Sequence, residues 1–157
     1  MANFASTVAE KLRRQNSVAA EVCVFAYTNR FKGNEPQAYG NQLVQFVELT
    51  NDQRVIVTRS VAALRELFRN GYGYKKAGVI ATRIVPVCNV MHSLFENTVS
   101  VEREHRITSV VDAVNRNFGR GAIKFAVQGS GRIKTSSEKQ SPHYTTMWSD
   151  IPKVSVK

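Results

Sequence analysis

Two cysteines in 157 residues are too few for a disulfide framework. No apolar run approaches the roughly 18 residues that a bilayer-spanning helix needs, and no signal peptide precedes the first periodic segment. Cys23 and Cys88 each fall in an apolar stretch and read as reduced packing residues, which points to a cytoplasmic protein with no membrane partner. Acidic residues are also scarce, 12 against 22 Lys and Arg, for a formal net charge of +10. Such an excess favours a polyanionic partner, of which nucleic acid is the commonest.

The groups that catalysis needs are missing too. His92, His105 and His143 lie far apart with no matching cysteine or carboxylate spacing, so no metal site is expected. Gly71-Tyr72-Gly73 follows a helical pattern, whereas a phosphate-cradling fingerprint must open one. No Asp–Glu pair ends a strand where it could hold magnesium. Gly129-Ser130-Gly131 is not a nucleophile elbow, because no helix follows it. No catalytic residue and no cofactor are expected in this chain.

What is present is an alternation of helical and strand patterns. Phe4, Val8 and Leu12, with Ala5 and Ala9 beside them, make one helical stripe over residues 2–15. A helix opening almost at the first residue suggests a chain cut from something longer. Residues 17–31 are apolar on both faces, as an interior strand would be, and residues 39–49 alternate as its hairpin partner. Thr50-Asn51-Asp52-Gln53 has capping-box spacing and opens a helix burying Val57, Val61, Leu64 and Phe68. Gly71 is placed to close that helix in the left-handed conformation. A strand over 77–87 completes a helix-strand-strand-helix-strand unit, an α+β layer with the helices on one face. Residues 88–102 read as a linker, 103–118 as a third helix and 122–127 as a short strand. The lone Trp148 suggests that the basic tail docks onto something.

Basic groups mixed with aromatics supply the candidate binding residues: Arg30 and Lys32 beside Tyr27 and Phe31, Lys75 and Lys76 beside Tyr72 and Tyr74, then Arg83, Arg116, Arg120 and Lys124. Positive charge neutralises phosphates and rings pack on sugar or base. By parity Lys75 and Arg83 share a strand face whose centre is Ala77, Val79 and Ala81, low enough for a nucleic-acid backbone. The plainer reading is that Lys75 and Lys76 only solvate a strand end. With no base-reading motif, binding is expected to be to backbone.

Glu10-Lys11-Leu12-Arg13, Thr28-Asn29-Arg30-Phe31, Tyr39-Gly40-Asn41 and above all Gly71-Tyr72-Gly73-Tyr74-Lys75-Lys76-Ala77-Gly78-Val79 resemble the C-terminal part of UmuC-type Y-family translesion DNA polymerases. The likeness continues through Leu94-Phe95, Gly119-Arg120-Gly121 and Ser141-Pro142-His143-Tyr144-Thr145-Thr146, and so covers nearly all of the chain. It implies that residues 1–88 are most of a little finger domain, a βαββαβ sheet with its first strand missing and an open face along DNA. It further implies a linker over 89–100 and a UmuC-type C-terminal extension over 101–157, read here as a small helix-strand piece. The magnesium-binding palm would lie upstream, leaving this chain inactive as a polymerase alone. In that family the linker carries a sliding-clamp peptide. Its positions here are Met91, His92, Ser93, Leu94 and Phe95, with the Leu-Phe end kept and the leading glutamine absent.

The expected function is thus DNA binding within a UmuC-like error-prone polymerase of the SOS response, on damaged template-primer. Two alternatives stay open. One is a protein-interaction module recruiting the sliding clamp, the polymerase partner subunit or the recombinase filament. The other is a free-standing basic nucleic-acid-binding protein.

Overall fold

Ala2, Ala5, Ala9 and Leu12 recur at helical spacing, and these are the apolar residues that the first helix buries. In the computed structural model, which describes residues 1–89, 98–119, 121–129 and 141–154, that helix is α1 (Ala2–Arg14). It is followed by β1 (Ser17–Thr28), β2 (Tyr39–Thr50), α2 (Gln53–Leu67), β3 (Tyr74–Pro86) and α3 (Thr98–Asn117). The buried stripe of α1 is centred on its alanines, while Phe4 is 40% exposed. Side chains that small let the helix backbone come close to its neighbours, so the core is thin and tight.

The three strands form one antiparallel sheet in the order β2-β1-β3. β1 is the interior strand, as its two-sided apolar pattern requires. It pairs along its length with β2 (Cys23 with Leu43) and with β3 (Cys23 with Ile80). Val22 and Ala19 of β1 meet Ile56 and Val57 of α2 and the alanines of α1 in the core, with Val44, Phe46, Val79 and Ala81 packed against it. The fold is α+β, with α1 and α2 on one face of the sheet.

Several local details differ from the sequence expectation. The cap of α2 is Asp52, whose carboxylate accepts from the Arg54 backbone N–H at 2.7 Å, and Thr50 Oγ1 accepts from the Asp52 N–H one step earlier. Gln53 takes no part in capping; its Nε2 donates to Ser6 Oγ at 3.1 Å. The helix ends at Leu67, so Gly71, with φ 87°, serves the following turn instead of the helix terminus. Tyr74 closes that turn: its Oη accepts from the Arg69 N–H and its ring lies 5.5 Å from that of Phe68. Phe68 is consequently 53% exposed and does not join the core. Cys88 lies exposed in a 3-10 turn (Val87–Asn89), and no disulfide joins it to Cys23.

The expected strand over 122–127 does not form. Gly119 and Gly121 turn the chain at positive φ, and the Ile123 N–H and C=O are both taken by the side-chain amide of Asn115. Ala126–Gln128 then coils as a 3-10 turn, whose Gln128 exchanges hydrogen bonds with Asn3 of α1. Backbone groups satisfied this way need no ladder partner.

Ser60 is the oddity of the core. It is fully buried on α2, and its Oγ has no hydrogen-bond partner among the described residues. An unsatisfied buried hydroxyl is destabilising. Ser60→Ala is therefore expected to raise the unfolding free energy by about 1 kcal/mol, read as a higher urea midpoint at unchanged m-value. A lower midpoint would show that the hydroxyl is satisfied after all.

Candidate nucleic-acid interface

Among the described residues, no helix covers one face of the sheet. From Glu21 onward, β1 turns Glu21, Cys23, Phe25 and Tyr27 away from the core. Their register partners complete the surface: Gln45, Leu43, Asn41 and Tyr39 from β2, and Thr82, Ile80, Gly78 and Lys76 from β3. Leu43 and Ile80 are each about half exposed, at 53% and 51%. The middle of this face is apolar or amide in character.

Its charge is unevenly placed. At one end, Tyr27 pairs in register with Tyr39 on one side and Lys76 on the other. The Tyr27 and Tyr39 rings are 5.9 Å apart, the Lys76 ammonium sits 5.8 Å from the Tyr27 centroid, and the Arg30 guanidinium sits 5.6 Å from that of Tyr39. Phe25 stacks on Tyr27 at 5.7 Å and lies over Gly78, where a Cβ would come within 2.6 Å of its ring. Only glycine lets that ring lie flat. Toward the other end sits Glu21, 8% exposed, its Oε1 accepting from Thr82 Oγ1 at 3.0 Å.

The candidate residues do not all gather here. Arg30 and Lys76 are on the open face. Lys32 is exposed in the β1–β2 loop and ion-paired with Glu35 at 2.6 Å. The parity that joins Lys75 to Arg83 belongs to the covered side, since Val79 and Ala81 between them pack on the core. The reading of a low basic groove along Ala77, Val79 and Ala81 is corrected accordingly. Lys75 itself is the extra residue of a bulge between Tyr27–Lys76 and Thr28–Tyr74, and Arg83 is exposed with φ 49°. Arg116 at the end of α3 and Lys124 after it are exposed, and this segment is anchored to α1 through Asp112 and Gln128. Arg120 and the peptide Met91, His92, Ser93, Leu94 and Phe95 lie outside the described residues.

Sequence reasoning missed two features. The tyrosine pair needed the hairpin register, which the alternating patterns of β1 and β2 leave free to slip. Arg13 entered only through the Glu10-Lys11-Leu12-Arg13 likeness, which gave no hint of its structural role. Its side chain, 10% exposed, donates to both Asp112 oxygens at 2.6 and 2.7 Å, to the Asn51 carbonyl and to Gln53 Oε1, binding α1, α3 and the start of α2 together.

Elsewhere an open groove of about 370 Å³ at the start of α1 is lined by Met1, Ala2, Val61, Leu64, Arg65, Phe68 and Val127. Burial lowers the pKa of the Met1 ammonium there. The groove has one arginine and no set of converging polar groups. Among the described residues no cluster of His, Cys, Asp and Glu could hold a metal ion, and no helix is long and apolar enough to cross a membrane.

The described residues thus form a three-stranded antiparallel sheet with helices on one side and ring-held cations at one end of the other. Residues 1–94 match the impB/mucB/samB family C-terminal domain, and residues 105–154 match a domain of unknown function (DUF4113). The chain belongs to the impB/mucB/samB family. It is similar to Protein UmuC of Salmonella typhimurium strain LT2, 32% identical over 154 residues, covering 97% of this chain and 36% of that protein. Protein ImpB of Salmonella typhimurium is 32% identical over 151 residues, covering 95% and 35%, and Protein MucB of Escherichia coli is 30% identical over 156 residues, covering 98% and 36%. The chain thus spans about a third of the length of these relatives, and it corresponds to the C-terminal part of UmuC-type proteins.

Proposed function

We propose that this chain is the DNA-gripping C-terminal segment of a UmuC-like translesion polymerase of the SOS response, acting in the cytoplasm on damaged template-primer. The observation that carries the proposal is the open sheet face, covered by no helix among the described residues and positively charged at the Arg30–Lys76 end. A phosphate backbone laid there meets cations at one end and apolar or amide side chains beyond them. Contacts of this kind position the duplex without reading its sequence. The metal-dependent chemistry would belong to the remainder of a longer polymerase, as would magnesium. Residues 1–88 would act as the little finger, 89–100 as the linker and 101–157 as the extension. Met91 to Phe95 would serve as a weak clamp peptide. The partner subunit and the recombinase filament would be further partners.

The test is fluorescence anisotropy of labelled primer-template against salt. With roughly four to six phosphates contacted, log K should fall with log salt at a slope of about −4 to −5, a loss of about 10²–10³-fold between 50 and 200 mM. Unlabelled RNA should compete less well than DNA. A flat salt response removes the proposal.

A second reading, a protein-docking module, is favoured by the tail. Trp148 is 91% exposed and Val154 84%, with Tyr144 and Met147 about half exposed, and the tail's described hydrogen bonds, such as that from the His143 N–H to Asp150 Oδ2, stay within it. The tryptophan does not dock onto the described residues. On this reading the same titration shows little DNA affinity at any salt.

A further inference from the structure

We infer that Tyr27 and Tyr39 hold Lys76 and Arg30 in place as a two-point phosphate-binding row across one end of the open sheet face, with a phosphodiester backbone as its ligand. The inference rests on the reading of that face as the DNA surface and goes further, selecting the cations that do the work and the rings that aim them.

Among the described residues, cations differ in the company they keep. Arg13 is tied to Asp112, Lys32 to Glu35 and Arg54 to Asp52, each within 3.0 Å of a carboxylate oxygen. A carboxylate cancels the charge it holds. Arg30 and Lys76 instead lie over tyrosine rings, and among the described residues neither has a carboxylate partner. A ring quadrupole attracts a cation without neutralising it. The two long side chains therefore surrender rotamer freedom before any ligand arrives, while their full charge remains for a phosphate.

The row is built across the strands. Lys76, Tyr27 and Tyr39 are register neighbours on β3, β1 and β2, and strands lie about 4.8 Å apart. Arg30, just past the end of β1, reaches back onto Tyr39. Phe25 braces the Tyr27 ring from behind, in the space that Gly78 leaves. Glu21, on the same face beyond Phe25 and Cys23, puts a carboxylate rather than a cation toward the opposite end. Neither tyrosine hydroxyl has a hydrogen-bond partner among the described residues, so the rings alone do the positioning. Tyr27 and Tyr39 are positioning residues in this scheme, and Arg30 and Lys76 make the contacts.

The experiment uses the full chain, labelled primer-template DNA and a salt series for each variant, with circular dichroism melts as the folding control. Lys76→Ala and Arg30→Ala should each flatten the salt slope by about one unit, whereas Lys32→Ala should leave it within error. Tyr39→Thr should weaken binding about 3–10-fold with no change in formal charge, the weight of a cation–π contact, and Tyr39→Phe should restore it. Tyr39 is 63% exposed on an edge strand, so its replacement does not threaten the fold. Tyr27→Leu with Tyr27→Phe repeats the test at the more central ring. If the wild type shows a steep salt slope and both Tyr39 variants bind as it does, the inference is wrong and the DNA reading survives. If the wild type shows no salt-dependent binding, both fail. Loss of binding in Tyr39→Phe as well as Tyr39→Thr would mean that the hydroxyl makes the contact, and would also overturn the row.

Discussion

Ile56→Ala is expected to lower the unfolding free energy by about 3–4 kcal/mol, near the upper part of the range for buried aliphatic truncations. Ile56 is fully buried and is among the largest side chains so enclosed. It packs beside Ala5 and Ala9 of α1 and Val22 of β1. Alanines have no atoms to move into a new void, and a backbone held by helix hydrogen bonds cannot follow, so the cavity stays open. Ile56→Val should cost about 1 kcal/mol. Urea unfolding monitored by circular dichroism gives both numbers. DNA affinity measured well below the melting temperature should be unchanged, because Ile56 lies in the core on the helix-covered side of the sheet and the open face lies across it. A loss below 1 kcal/mol for Ile56→Ala would mean that the helix layer collapses freely, against the tight core described above.

Arg13→Ala has the second-largest expected effect. Removing the guanidinium leaves the Asp112 carboxylate, 22% exposed, without its bidentate partner and frees the Asn51 carbonyl and Gln53 as well. Breaking one side of a buried pair typically costs 3–5 kcal/mol. Partial exposure of Asp112 reduces that to about 2–3 kcal/mol. Arg13→Lys should recover little, since an ammonium cannot reproduce the two parallel bonds. The distinctive readout is local. Amide exchange in the α3 segment should accelerate more than in β1, because Arg13 is what fastens that helix to α1. Equal acceleration in both would make Arg13 an ordinary contributor to global stability.

The fold was largely legible in the sequence because its periods are clean. β1 reads as an interior strand from two apolar faces, and β2 as its partner from strict alternation. The same alternation permits either face to be the buried one, and only packing decides. Val79 and Ala81 went to the helices, which turned Lys76 and Gly78 outward and reversed the face expected to meet DNA. Residues 122–127 look like a strand by composition, but a strand needs a partner edge, and Asn115 and Asn3 met the backbone and side-chain needs of that segment first. Arg13 was invisible because nothing local distinguishes it from Arg14, its solvent-exposed neighbour. Of the candidate site, the cation types could be read, but which of them keep their charge could not. That depends on where Glu35, Asp52 and Asp112 fall in space.

The central position of β1 has a consequence for how the chain is made. Its pairing with β2 closes a short local loop, whereas its pairing with β3 joins Ser17 to Pro86 and must span all of β2 and α2. Loop-closure entropy rises with length, so the hairpin forms first. During translation, at about 5–20 residues per second, the stretch from the end of β2 to the end of β3 takes roughly 2–7 s to emerge. Through that interval β1 holds a finished hairpin on one edge and a bare row of amides and carbonyls on the other, flanked by Val18, Val22 and Val24. An unpaired apolar edge is the template on which nascent chains add to one another. Ribosomal pausing between Thr50 and Tyr74 would lengthen the exposure, and faster passage through those codons would shorten it, with no change to a single residue of the folded protein.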